Sequence, residues 1–97
     1  MDREAILNKL HQFKRNHGHQ YGIELLGLFG SCARGSAQHT SDVDIIIKTK
    51  TPDPYIIAHI KEQLEQDLKC PVDVVRMRKN MNQSLKENIE KDVVYVQ

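Results

Sequence analysis

The sequence predicts one α/β (α+β) domain in which helices flank a small mixed β-sheet. Three short apolar runs, at residues 23–29, 42–48 and 72–77, have the aliphatic content and the length of buried strands. Segments with apolar residues at helical spacing separate these runs, and such alternation is typical of α/β proteins. The predicted order of elements is αβ(α)βαβα. The 97 residues are enough for a single domain, which we expect to span residues 1–97.

The N-terminal segment predicts a helix over about residues 3–16. Asp2 stands where a helix N-cap is expected, and apolar side chains then recur on one stripe of the helix. Gly18 and Gly22 predict the turn that follows, because glycine commonly interrupts regular structure.

The strand at residues 23–29 is expected to end at Gly30, before a short helix. Ser31 is a favourable N-cap residue, so this helix is predicted to begin there and to run through Arg34. Residues 35–40 are small and polar, which predicts a loop before the second strand.

The C-terminal half predicts two more helices. Asp53 is placed to cap a helix whose first position is Pro54, and Pro71 ends that helix before the third strand. The segment SLKE, residues 84–87, has the form of a capping box and predicts the last helix. The apolar stretch DVVYV, residues 92–96, is expected to pack back on the core in an extended form.

The composition argues against several classes of partner. The chain carries 14 Lys and Arg against 13 Asp and Glu, so its net charge of +1 gives no general attraction to nucleic acid or anionic membranes. No apolar run is long enough to span a bilayer, and the charged start MDREAILNKL is unlike a signal peptide. Cys32 and Cys70 form neither a CxxC pair nor a disulfide framework, which favours a reducing, cytoplasmic location. We therefore expect no membrane partner and no direct contact with nucleic acid.

Three carboxylates are the candidate metal ligands. Asp42 and Asp44 lie two positions apart at the start of a strand, so their side chains project on the same side and repel each other. Asp73 alternates with Val72 and Val74, and it joins the pair if the third strand lies beside the second. A divalent cation relieves the repulsion, and Mg²⁺ prefers oxygen ligands. Three carboxylates around two metal ions suit phosphoryl or nucleotidyl transfer.

The segment before this pair offers groups that bind phosphates. Gly30 lets a ligand approach the backbone closely, and Ser31 is expected to open a helix whose free N–H groups attract anions. Arg34 lies one helical turn further on and is able to reach the same phosphates. The pattern therefore indicates a phosphate-binding turn beside a metal site.

The segment GSCARGSAQHTSDVDI resembles the signature of the nucleotidyltransferase superfamily that includes DNA polymerase beta. The residues that carry the resemblance are Gly30, Ser31, Ala33, Arg34, Gly35, Ser41, Asp42, Asp44 and Ile45. The resemblance implies the nucleotidyltransferase fold and two sets of site residues. The implied nucleotide-binding set is Gly30, Ser31, Arg34 and Ser41. The implied catalytic set, which also binds the metal ions, is Asp42, Asp44 and Asp73.

The length of the chain narrows the resemblance to the minimal nucleotidyltransferases, and the likeness covers nearly the whole sequence. Members of that family are typically encoded beside a HEPN-domain ribonuclease and act as its antitoxin. The resemblance implies a hetero-oligomer with such a toxin and transfer of AMP from ATP to a tyrosine of that partner. It also implies Mg²⁺ as the cofactor, with two ions at the site.

Two other functions are compatible with the same residues. One is nucleotidyl transfer to a small molecule such as an aminoglycoside, although such enzymes generally carry a further domain that holds the acceptor. The other is a non-catalytic module that binds a nucleotide and inhibits its partner by covering the partner's active site. Three converging carboxylates argue against the second alternative, because a steric inhibitor does not need them.

Overall fold

The computed structural model describes residues 2–35 and 42–97, and over these residues the chain forms four helices and four strands. In chain order they are α1 (Arg3–Tyr21), β1 (Ile23–Phe29), α2 (Gly30–Arg34), β2 (Val43–Thr49), α3 (Pro54–Leu68), β3 (Val72–Arg76), α4 (Gln83–Asp92) and β4 (Val94–Tyr95). The predicted order is confirmed, and the C-terminal stretch adds a short fourth strand. No helix in these two ranges is both long and apolar enough to cross a membrane.

The sheet is mixed, with the strand order β3-β2-β1-β4. Strand β1 pairs antiparallel with both β2 and β4, whereas β2 and β3 are parallel. Helix α3 makes the crossover that a parallel pair requires. The predicted class, a small mixed sheet flanked by helices, is therefore confirmed, and β2 lies between β1 and β3.

Alternation along β2 divides the hydrophobic core between the two faces of the sheet. Ile45 and Ile47 are fully buried in the larger cluster, which includes the apolar sides of α1 and α3. Ile46 faces the other way and packs with Phe29 and with Ile89 of α4 in a smaller cluster. The three isoleucines anchor β2 from both sides of the sheet, directly after Asp44.

Helix α1 is longer than the predicted 3–16 because it continues through Gly18 to Tyr21. The rings of Phe13, His17 and Tyr21 stack along one side of the last turns, with centroid separations of 5.0 Å and 5.8 Å between successive rings. This side-chain packing outweighs the low helix propensity of glycine. The helix ends instead at Gly22, whose φ of 65° is left-handed.

Two predicted helix caps are wrong. Helix α2 begins at Gly30 with Phe29 at the N-cap position and no side-chain cap, because the chain turns directly from the strand into the helix; Ser31 therefore does not cap it. In α4 the Asn82 side chain accepts a hydrogen bond from the Leu85 N–H at 3.3 Å, so the capping box at 84–87 is not formed.

The other predicted caps are confirmed. The Asp2 carboxylate accepts from the Ala5 N–H at 2.8 Å, and Asp53 accepts from the Tyr55 N–H at 2.9 Å with Pro54 at the first helical position.

Candidate active site

The parallel pairing of β2 with β3 sets two of the predicted carboxylates side by side. In this register Val43 lies opposite Val72, and Asp44 lies opposite Asp73. The two valines are buried in the larger cluster, so the aspartates project from the other face of the sheet. Adjacent strands are about 4.8 Å apart, which makes the two carboxylates neighbours. Asp42 is exposed and immediately precedes β2, which begins one residue later than predicted.

The carboxylates interact electrostatically. Partial burial raises the pKa of Asp44, and the negative charges of Asp73 and Asp42 raise it further. The positive charge of Arg34 acts in the opposite direction and lowers the pKa of this carboxyl. Ionisation of Asp44 therefore requires more free energy than for an aspartate in water, and a bound cation would offset that difference. Asp42, Asp73 and Arg34 thus all act electrostatically on Asp44.

Gly30 brings the turn between β1 and α2 against Asp44. Its φ of 76° is left-handed, and a Cβ built on it would overlap with Oδ2 of Asp44. Glycine is required here for two independent reasons, the backbone conformation and the space taken by the carboxylate. The antiparallel pairing of Phe29 with Asp44 produces this close approach. The predicted phosphate-binding turn and the predicted metal ligand are in direct contact.

Ser31 is half-buried and follows Gly30 in the first turn of α2. Its side chain forms a hydrogen bond with the buried thiol of Cys32. The Cys32 Sγ in turn donates to the backbone carbonyl of Asp42 at 3.6 Å, which ties α2 to the chain that leads into β2. Burial, followed by the nearby charge of Asp44, raises the pKa of Cys32, so the thiol stays protonated as a donor. Cys32 is not among the residues that carry the resemblance to the superfamily, so no role was predicted for it.

The structure pairs Arg34 with a residue that the sequence did not indicate. Nη1 of Arg34 donates to Oδ2 of Asp92, the last residue of α4, at 2.8 Å. Asp92 lies in a stretch without a motif, so only the packing of α4 reveals it. Ser41, the remaining predicted nucleotide-binding residue, lies outside the described residues.

The donors at this site suit Mg²⁺ that completes its coordination with a ligand. Within residues 2–35 and 42–97, no three His, Cys, Asp or Glu side chains are arranged to enclose a metal ion by themselves. Mg²⁺ does not require such a cage, since it commonly binds through one or two carboxylates together with phosphates and water. Asp44 and Asp73 in register supply two carboxylates of this kind. The residues therefore fit a metal ion that arrives with a nucleotide.

Comparison with known proteins identifies the family. The family model described as "Polymerase beta, Nucleotidyltransferase" matches residues 8–97. A protein adenylyltransferase, MntA, of Thermococcus cleftensis is 32% identical over 94 residues, which are 96% of this chain and 94% of the relative.

Among the solved structures that share the fold are two toxin–antitoxin complexes. One is a toxin–antitoxin complex with AMP-PNP, which has a TM-score of 0.77 and 24% identity and covers 94% of this chain and 72% of the solved chain. The other contains a tri-AMPylated HEPN toxin of Shewanella oneidensis with its MNT antitoxin, with a TM-score of 0.71, 21% identity and coverage of 98% and 71%. The family match and the adenylyltransferase relative show that this chain belongs to the polymerase beta nucleotidyltransferase family.

Proposed function

We propose that this protein is a Mg²⁺-dependent protein adenylyltransferase that transfers AMP from ATP to a tyrosine of a HEPN-domain toxin and thereby acts as its antitoxin. The observation that carries the proposal is the register of β2 and β3, which sets Asp73 beside Asp44 at the Gly30 turn. The likeness to the MntA adenylyltransferase and to the complex with an AMPylated HEPN toxin supports the choice of reaction and partner.

In this proposal Asp42, Asp44 and Asp73 hold two Mg²⁺ ions. When bound, the ions neutralise charge on the phosphates and orient them for an in-line displacement. The buried isoleucines that follow Asp44 keep its carboxylate in a fixed position, so little reorganisation is needed when the nucleotide binds. The charge repulsion that raises the pKa of Asp44 is relieved in the same event.

The nucleotide phosphates would be held on the other side of the site. The backbone at the Gly30 turn would lie against the phosphates, Ser31 would contribute its hydroxyl, and Arg34 would contribute a positive charge. Ser41, which belongs to the same motif, is assigned to this set on the sequence alone. The likeness to a complex that contains AMP-PNP supports ATP as the nucleotide.

The proposed transfer needs no reactant other than ATP and the tyrosine of the partner. The tyrosine oxygen of the partner attacks the α-phosphorus of ATP and forms a new O–P bond, while the bond to the bridging oxygen breaks and pyrophosphate leaves. In this proposal Asp73 accepts the phenolic proton, and its exposure on the edge strand β3 beside Asp44 supports that role. The product is an O-adenylylated tyrosine on the partner.

Mass spectrometry of the partner tests this proposal. The purified protein is incubated with ATP, MgCl₂ and a HEPN-domain protein encoded beside its gene, and the intact partner is weighed. We expect one or more AMP units on the partner, a tyrosine as the modified residue, and no addition with Asp73→Asn. Asp67→Asn, an exposed change on α3, is the matched control and should transfer normally. A partner that is inhibited but unmodified would contradict the proposal and favour steric inhibition.

A further inference from the structure

Helix α4 places the carboxylate of Asp92 beside Arg34, the last residue of α2. The ion pair between Arg34 and Asp92 spans 58 residues of sequence, and it joins α2 to α4. Nη1 of Arg34 and Oδ2 of Asp92 are 2.8 Å apart. The Asp92 side chain is only 14% exposed, whereas the Arg34 side chain is 50% exposed. The acid is thus the enclosed and fixed member of the pair, and the guanidinium is the accessible one.

Both backbones in this pair are held in place by other contacts. Ile89, one turn before Asp92, is 3% exposed in the cluster with Phe29, and its carbonyl accepts from the Val93 N–H at 2.9 Å. On the α2 side, Nη1 of Arg3 donates to the carbonyl of Ala33 at 3.2 Å. The freedom that remains is in the Arg34 side chain, which is long and loses much rotamer entropy when it is ordered.

The charge of the paired guanidinium still acts at the site. Arg34 is one helical turn beyond Gly30, the residue in contact with Asp44, and its charge acts on the Asp44 carboxyl. Arginine has five N–H donors in a planar fork, and the ion pair with Asp92 engages Nη1. The other edge of the guanidinium has donors suited to phosphate oxygens. The same side chain is therefore able to contact Asp92 and an anion at the site together.

We propose that Asp92 is a positioning residue that orders the Arg34 guanidinium beside the terminal phosphates of the bound nucleotide. This inference rests on the proposed function, since it assumes that a nucleoside triphosphate binds at the Gly30 turn. Without Asp92, the Arg34 side chain would have to be ordered by the nucleotide itself, and part of the binding free energy would be lost. The loss should be confined to nucleotides that carry the β- and γ-phosphates.

Titration calorimetry with AMP-PNP and with AMP, both in the presence of Mg²⁺ and without a partner protein, tests this assignment. We expect Asp92→Asn to weaken AMP-PNP binding about fivefold to tenfold, the scale of one ordinary hydrogen bond, and to leave AMP binding unchanged. Arg34→Ala should cause a loss at least as large. In the Arg34→Ala background, Asp92→Asn should have no further effect, because the two side chains act through one contact.

Three controls separate positioning from a general structural role. Asp92→Glu retains the carboxylate and should recover most of the AMP-PNP affinity, whereas Glu90→Gln removes a neighbouring exposed acid of α4 and should change nothing. Thermal melting should show that Asp92→Asn is folded, and Asp92→Ser serves as a second neutral variant if it is not. Unchanged AMP-PNP affinity, equal losses for AMP and AMP-PNP, or additive losses in the double variant would overturn the inference. A wild-type protein that binds no AMP-PNP would overturn the proposed function as well.

Discussion

At the scale of single residues, Gly30 links the backbone conformation of the turn to the position of a carboxylate. Its positive φ and its contact with Asp44 both exclude a side chain. Gly35, at the other end of α2, has a φ of 75°, but a Cβ at that position would have no neighbouring atom within 4 Å. Both glycines therefore have a left-handed backbone, but only Gly30 has a carboxylate in the space that a Cβ would fill.

Alanine substitution at the two glycines separates these effects. We expect Gly35→Ala to lower the free energy of unfolding by about 1–2 kcal/mol, the usual cost of a left-handed conformation for a residue with a Cβ. Gly30→Ala should lower it further and should also weaken nucleotide binding, because Asp44 must move. Urea denaturation and AMP-PNP titration measure the two quantities. Equal destabilisation by the two substitutions would show that the contact with Asp44 has no energetic consequence.

The raised pKa of Asp44 predicts that the stability of the protein depends on pH. Because burial and the charges of Asp73 and Asp42 raise its pKa in the folded state, the native protein binds the proton more tightly than the unfolded chain does. The free energy of unfolding should therefore fall as the pH rises from the ordinary aspartate pKa through the raised value. Above that range, Asp44→Asn should be more stable than the wild-type protein in the absence of metal.

Thermal melts of the metal-free protein across this pH range check the prediction. The difference in Tm between Asp44→Asn and wild type should shrink as the pH falls and the carboxyl becomes protonated. Glu62→Gln, an exposed change on α3, should follow the wild-type pH profile. A destabilised Asp44→Asn protein at neutral pH would be incompatible with net repulsion at this carboxylate.

At the scale of elements, the bounds of β1, β2 and β3 were predictable to within a residue, because each is a run of aliphatic residues that must be buried. The fourth strand was expected only as an extended stretch. The end of α1 was not, since stacking of Phe13, His17 and Tyr21 carries the helix through Gly18. The start of α4 was also missed, because Asn82 and Ser84 are both good caps and local sequence does not choose between them.

Helix α4 is held against the sheet by a small cluster of buried apolar side chains. Ile89 is 3% exposed against Phe29 and Ile46, so Ile89→Ala should lower the free energy of unfolding by about 2–4 kcal/mol. It should also weaken AMP-PNP binding if α4 must be docked for Asp92 to reach Arg34. The neighbouring exposed substitution Asn88→Ala should leave both quantities nearly unchanged. Loss of stability without loss of AMP-PNP affinity would indicate that the site does not require α4.

At the scale of the whole molecule, one face of the sheet provides most of the core and the other carries the acids. The Asp-x-Asp pattern predicted Asp42 and Asp44, and alternation along the third strand predicted Asp73. The parallel register of β2 and β3 brings Asp44 and Asp73 together, which was expected if these strands were neighbours. The partner of Arg34 could not be predicted in this way. Asp92 follows Arg34 by 58 residues, and its position depends on how α4 crosses the sheet rather than on any local pattern.

Metal and nucleotide together should stabilise the folded molecule as a whole. A ligand that binds only the native state at a hundredfold excess over its Kd adds about 2.7 kcal/mol to the free energy of unfolding. Mg²⁺ with AMP-PNP should therefore raise the Tm of the wild-type protein, and the Asp42→Asn/Asp44→Asn double variant should not respond. Because the same acids repel each other without a cation, the double variant should melt above wild type in EDTA and below it with ligand. A ranking that is the same in both conditions would show that these carboxylates do not bind the metal, since only the binding of a cation reverses the sign of their contribution.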